Sequence, residues 1–180
     1  VPNASNLNFS AGETRSAMVV VPVDAQGRVS LSNHAGSVDL TASVEGYYVP
    51  FGPVGTPVNK PMNPITPVRV LDTRSGTGAR KGPIPATGNL HFKVAGVAGI
   101  PANATGVLLN LTAVGSTANG YLTAWGDRSP YQPPAPALNF MRGQTTPVLT
   151  YLPISHGTVG LYNPHGSVNV VADIEAYSTN

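Results

Sequence analysis

Between Val168 and Ala176 the chain sets Val168, Val170, Ala172, Ile174 and Ala176 on every second position, with Asn169, Val171, Asp173 and Glu175 between them. A period of two sends successive side chains to opposite faces of an extended strand. The same alternation runs through Val38, Leu40, Ala42 and Val44. Asp24-Ala25-Gln26-Gly27 and Ser155-His156-Gly157 interrupt β-branched runs and read as turns. Asn33-His34-Ala35-Gly36 and Asn163-Pro164-His165-Gly166 form a second pair. No window carries a convincing helical period, so the pattern predicts an all-β protein.

The turns recur because the chain repeats itself. Leu7-Asn8-Phe9 returns as Leu138-Asn139-Phe140, and Gly12, Thr14 and Pro22 keep that spacing at Gly143, Thr145 and Pro153. After a one-residue deletion the match resumes with Gly27, Val29, Leu31 and Asn33 on Gly157, Val159, Leu161 and Asn163, then Gly36-Ser37-Val38 on Gly166-Ser167-Val168. It ends with Ala42, Glu45 and Tyr47 on Ala172, Glu175 and Tyr177. The middle of the chain is a more distant copy: Leu90-His91-Phe92 stands for Leu-Asn-Phe, Gly106–Leu111 for Pro147–Leu152, and Gly120–Trp125 for Gly157–Tyr162.

Residues 1–48, 66–126 and 135–178 are therefore expected to be three four-stranded antiparallel units of one domain spanning 1–180, with a Pro-rich linker over 49–66. Three such units predict pseudo-threefold symmetry, as in a β-prism or β-trefoil. The alternative is a set of β-propeller blades, which would need self-association or a longer parent to close.

Composition narrows the class further. With 20 Gly and 18 Pro a helical bundle is excluded. Charged residues are only 10% of the chain, ten Lys/Arg against eight Asp/Glu, and there is no Cys. The basic residues are scattered, Arg80-Lys81 alone being adjacent, which argues against nucleic acid. No apolar run approaches a membrane span. No charged-then-apolar leader opens the sequence, leaving a cytosolic or an already processed protein. The low-charge, Thr/Asn/Gly/Pro-rich surface tilts the expectation to a secreted or cell-surface protein.

Chemistry is sparsely signalled. Asp72-Thr73-Arg74 lacks the glycine and the second copy an aspartic dyad needs. Its expected role is to pin a strand end, with Asp72 paired to Arg69 or Arg74. Gly76–Gly82 lacks the Gly-Lys-Ser/Thr ending and the helix of a phosphate loop. There is no Gly-x-Ser-x-Gly and no His-Glu-x-x-His, and His34, His91, His156 and His165 are dispersed. No enzyme activity, cofactor or metal is expected.

Two groups of residues could bind a ligand. Asn33, His34 and Asp39 answer to Asn163, His165 and Asn169 at equivalent turns, which is how symmetric lectins build shallow sugar sites. The competing explanation is that Asn and Gly are what tight turns require. Aromatic Tyr121, Trp125, Tyr131, Tyr151 and Tyr162 form the second group, with core packing as the alternative for all of them and the stronger one for Tyr121 and Tyr151. Trp125, followed by Gly126-Asp127-Arg128, is the best single anchor, and Asp127 joins it as a candidate.

Pro67-Val68-Arg69-Val70-Leu71-Asp72-Thr73-Arg74, Asn110-Leu111-Thr112, Gly120–Trp125, Leu138-Asn139-Phe140 and Ala172–Tyr177 together resemble a repeat module of secreted and surface proteins of actinobacteria. That module often occurs in tandem and beside hydrolase domains. On this resemblance residues 66–178 are one module, and 1–48 are similar to the C-terminal half of another. Family members often carry a Cys pair where this chain has Gly126/Asp127 and Gly160, so that staple is missing. The resemblance implies secretion and an accessory, adhesive role, with no catalytic residues to transfer. The expected function is non-catalytic, lectin-like recognition of carbohydrate or cell-wall polymer. The alternatives are a structural or protein-binding module, including an inhibitor of a secreted enzyme, and last a hydrolase; self-association stays open.

Overall fold

The computed structural model describes residues 5–47, 62–127 and 133–179. Eight strands form: β1 (Met62–Asp72), β2 (Gly88–Lys93), β3 (Ala104–Val114), β4 (Gly120–Gly126), β5 (Leu138–Phe140), β6 (Thr145–Pro153), β7 (Thr158–Asn163) and β8 (Asn169–Thr179). They make two four-stranded antiparallel sheets, in the orders β1-β8-β3-β6 and β2-β7-β4-β5. Every connection crosses from one sheet to the other except β4 to β5. This is the strand order of a jelly roll. No helix occurs among the described residues.

The strand alternation builds the core directly. Val107, Leu109 and Leu111 of β3 and Val170, Ala172 and Ile174 of β8 point inward, as do Leu122, Leu138, Val159 and Leu161 of the second sheet. All belong to one apolar cluster, and each large side chain contributes about 1.5–3 kcal/mol by leaving water. Proline in a strand removes a ladder donor and is confined to edges and bulges. Accordingly Pro64 and Pro67 lie in β1 and Pro147 in β6, the two edges of the first sheet, and β1 has a register irregularity between Pro64 and Val68.

The β1 end is pinned by Asp-Thr-Arg. Asp72 is buried; Arg74 Nε and Nη2 donate to its two carboxylate oxygens at 2.9 and 2.8 Å, and Arg69 Nη1 lies 3.7 Å away. The Arg74 hydrogen bonds hold the Asp72 pKa down at about 2, against a burial that would raise it. Buried Thr73 donates its hydroxyl to Asn169 Oδ1 at 3.1 Å while accepting the Val170 N–H at 2.9 Å.

Three separate four-stranded units do not form. Strands of 62–126 alternate one by one with strands of 138–179 in both sheets, so the distant middle copy is the complement of the last copy and neither is a unit by itself. Prism, trefoil and blade are thus replaced by one interleaved sandwich. Residues 5–47 keep their turns but contain no strand. They touch the sandwich through Ser16, whose hydroxyl accepts from Asn139 Nδ2 at 2.9 Å, and Glu45, which accepts from Thr150 Oγ1 and the Tyr151 N–H at 3.0 and 3.2 Å. The expected linker is also shorter on one side, since 62–66 belong to β1; 49–61 lie outside the described residues.

Candidate binding face

The outer face of the β2-β7-β4-β5 sheet gathers most of the aromatic candidates. In β4 Leu122 and Ala124 point into the core, which turns Tyr121, Thr123 and Trp125 outward. In β7 Val159 and Leu161 are in the core, leaving Gly160 and Tyr162 outward. Register then aligns His91, Gly160 and Trp125 across β2, β7 and β4, with Asn89, Tyr162 and Thr123 in the next row.

Gly160 makes the first row possible. A Cβ there would stand 2.5 Å from Cε2 and Cζ2 of Trp125, so the indole lies over the bare backbone of the middle strand. Glycine inside a strand often marks such a close approach. Beyond it the His91 ring meets Trp125 edge to face, with centroids 5.8 Å apart and planes at 87°. Tyr121 and His165 make a second edge-to-face pair at 6.3 Å and 90°. Thr123 sits between Tyr121 and Trp125 along the same strand face, fully buried, and its Oγ1 has no hydrogen-bond partner. A shallow recess of about 330 Å3 continues from Trp125 toward Pro133, Tyr151, Pro153, Val44 and Glu45.

Asp127 stands at the end of β4 and acts as a turn cap. Its carboxylate accepts the N–H groups of Ser155 and His156 at 3.0 Å each, the Thr158 N–H at 3.3 Å and the Thr158 hydroxyl at 2.8 Å. Burial pushes its pKa up, but those donors outweigh it and keep the pKa below the ordinary carboxylate value. His156 Nδ1 is 3.7 Å from the same carboxylate.

The remaining candidates separate. Asn163 is fully buried and gives its Nδ2 to the carbonyls of Ile84, Pro85 and Gly166 at 3.1, 3.1 and 3.2 Å, so it brackets the loop before β2 from inside. Asn169 supports Thr73. Asn33, His34 and Asp39 are exposed in the strandless segment, where Asn33 Nδ2 donates to the Gly36 carbonyl at 3.1 Å. The structure therefore does not assemble the equivalent turns into one site. Only His165 of that group reaches the aromatic face, through Tyr121. Tyr151 lies on β6 in the other sheet, and Tyr131 lies outside the described residues.

His91 and Gly160 were not singled out by the residue pattern. The usable signal was the lone glycine in Thr158-Val159-Gly160-Leu161-Tyr162, a strand interior. Among the described residues no cluster of three or more His, Cys, Asp or Glu could hold a metal, and no helix is long and apolar enough to cross a membrane. No family model, curated protein or solved structure matches the chain.

Proposed function

We propose that this chain is a secreted or cell-surface, non-catalytic binding module that recognises carbohydrate or cell-wall polymer on the outer face of its β2-β7-β4-β5 sheet. The observation that carries the reading is the Trp125 indole laid across Gly160 and flanked by His91, with Tyr162 and Tyr121 on the same face. Flat aromatic faces stack on the apolar faces of sugar rings, and Trp and Tyr supply large contact areas at low entropic cost. Asn89 and the ring nitrogens of His91 and His165 add polar groups for hydroxyls. The low-charge surface fits a neutral polymer better than a polyanion.

The test is retention of the purified protein on insoluble cell wall, chitin and cellulose, with soluble sugars as competitors. Retention reversed by one sugar class and lost in Trp125→Ala and Tyr162→Ala supports the reading. Flow-through on every polymer, or retention unchanged in both variants, overturns it.

A further inference from the structure

The strandless segment 5–47 has the anatomy of a half sandwich. Its turns match those of 138–179 in conformation as well as in sequence. Gly12, Gly27 and Gly36 have φ of 73°, 74° and 69°, and their counterparts Gly143, Gly157 and Gly166 have 76°, 79° and 59°. Asn33 Nδ2 donates to the Gly36 carbonyl at 3.1 Å, as Asn163 Nδ2 does to Gly166 at 3.2 Å. The apolar positions also correspond, but their surroundings do not. Leu31, Leu40 and Val44 are 66%, 54% and 87% exposed, while Leu161, Val170 and Ile174 in the same places of the last copy are 0% exposed.

In the sandwich β5 to β8 are buried only because β1 to β4 interleave with them. The segment 5–47 has the pattern of β5 to β8, and no strand among the described residues interleaves with it. In this chain the β1–β4 half is already occupied, and two differences favour the occupant. Ser30 replaces Gly160, so its Cβ would strike an indole placed like that of Trp125. Ser43 replaces Asp173, so an arginine placed like Arg69 would lose its two-pronged partner, now held at 2.9 and 3.0 Å.

We propose that residues 5–47 are an interaction surface for a β1–β4 half. The partner is a stretch of polypeptide with the strand pattern of 62–126, but with a small residue at the Trp125 position and no cation at the Arg69 position. Binding forms a second interleaved sandwich in which Leu31, Leu40 and Val44 become core. This differs from adhesion through the aromatic face and does not depend on it.

The repeat spacing supplies the experiment. A second copy of residues 62–131 joined directly ahead of Val1 restores the β4-to-β5 distance, because Leu7 corresponds to Leu138. Two such fusions to the intact chain are compared, one unmodified and one carrying Trp125→Val and Arg69→Thr in the added copy only. Amide hydrogen exchange is read at Val29–Leu31 and Leu40–Val44. The modified fusion is expected to slow exchange there by about 100-fold or more over the unfused chain, as core strands do relative to unpaired segments. The unmodified fusion is expected to protect the segment at least ~10-fold less. Leu31→Asp with Val44→Asp should abolish this protection while β5–β8 amides stay protected.

Fast exchange in the modified fusion with β5–β8 protected overturns the proposal. So does strong protection of 29–44 in the unfused chain, since the segment would then be covered by a second copy or by its own sandwich. Equal protection by the two fusions overturns the stated partner chemistry. Should the modified fusion fail to fold, the fusion carrying Trp125→Val alone in the added copy is read in the same way. Slowed exchange at 29–44 supports the proposal, and no change overturns it.

Discussion

Trp125 occupies the space that a side chain on Gly160 would need, and the two residues face each other across the β4–β7 ladder. Any substitution at 160 must displace the indole. Gly160→Ala is expected to cost about 1–3 kcal/mol, the range for forcing an extra carbon into a packed contact. Trp125 is the only tryptophan, so its fluorescence reports the displacement directly. In a Trp125→Ala background the cost of Gly160→Ala should shrink, since neighbours in contact are not additive. Chemical denaturation of the four proteins checks this; an additive cycle would show that the indole does not rest there.

Asp72 is expected to govern acid stability. Its folded-state pKa of about 2 lies below the ordinary 3.8, with the Arg74 hydrogen bonds as the main cause. A depressed carboxylate pKa means that the folded form binds the proton more weakly than the unfolded chain. Its contribution is complete above roughly pH 4 and is lost as pH falls through about 2. Asp72→Asn should lower stability at neutral pH and flatten the decline across that window. Urea midpoints measured from pH 6 to pH 2 on both proteins test the sign.

What could be read from the residues divides along physical lines. Period-two runs made the all-β class legible, but alternation alone does not make a strand. Val168–Ala176 pairs within β8 and its neighbours, whereas Val38–Val44, with the same alternation, has no pairing partner among the described residues and stays strandless. The pairing of strands was not legible, because which strand lies beside which is a long-range matter that a similar pattern in 62–126 and 138–179 does not decide. Self-similarity suggested three equal units, whereas the copies are complementary halves. Likewise Asn33 and Asn163 look equivalent as turn residues, and only burial separates them. Trp125 stood out by its type and its neighbours, but the partner that shapes its setting is a glycine three strand positions beyond a turn, visible only once β4 and β7 are in register.

The Asn33/Asn163 pair makes that separation measurable. Asn163→Ala removes three buried hydrogen bonds at once. The Ile84 and Pro85 carbonyls keep the Val168 and Gly88 N–H groups, while the Gly166 carbonyl loses its Asn163 donor, and an unsatisfied buried group costs about 1–3 kcal/mol. Asn33 is exposed and water can replace its bond to Gly36, so Asn33→Ala is expected to change stability by less than about 0.5 kcal/mol. Equal losses in the two variants would mean that the first copy is packed like the last.

Asp127 ties the end of β4 to the turn between β6 and β7, accepting two N–H groups from residues outside any strand and two donors from Thr158. Asp127→Ala removes all four acceptor contacts at once, and the expected loss is about 1–3 kcal/mol. Asp127→Asn keeps an oxygen but cannot serve four donors, so it should fall between Ala and the parent. Because the donors hold the carboxyl below its usual pKa, the parent's advantage over Asp127→Asn should persist at neutral pH and fade as acid protonates the carboxylate. Thermal melts at neutral and acidic pH distinguish this from a merely steric role, for which the gap between parent and Asn variant would not depend on pH.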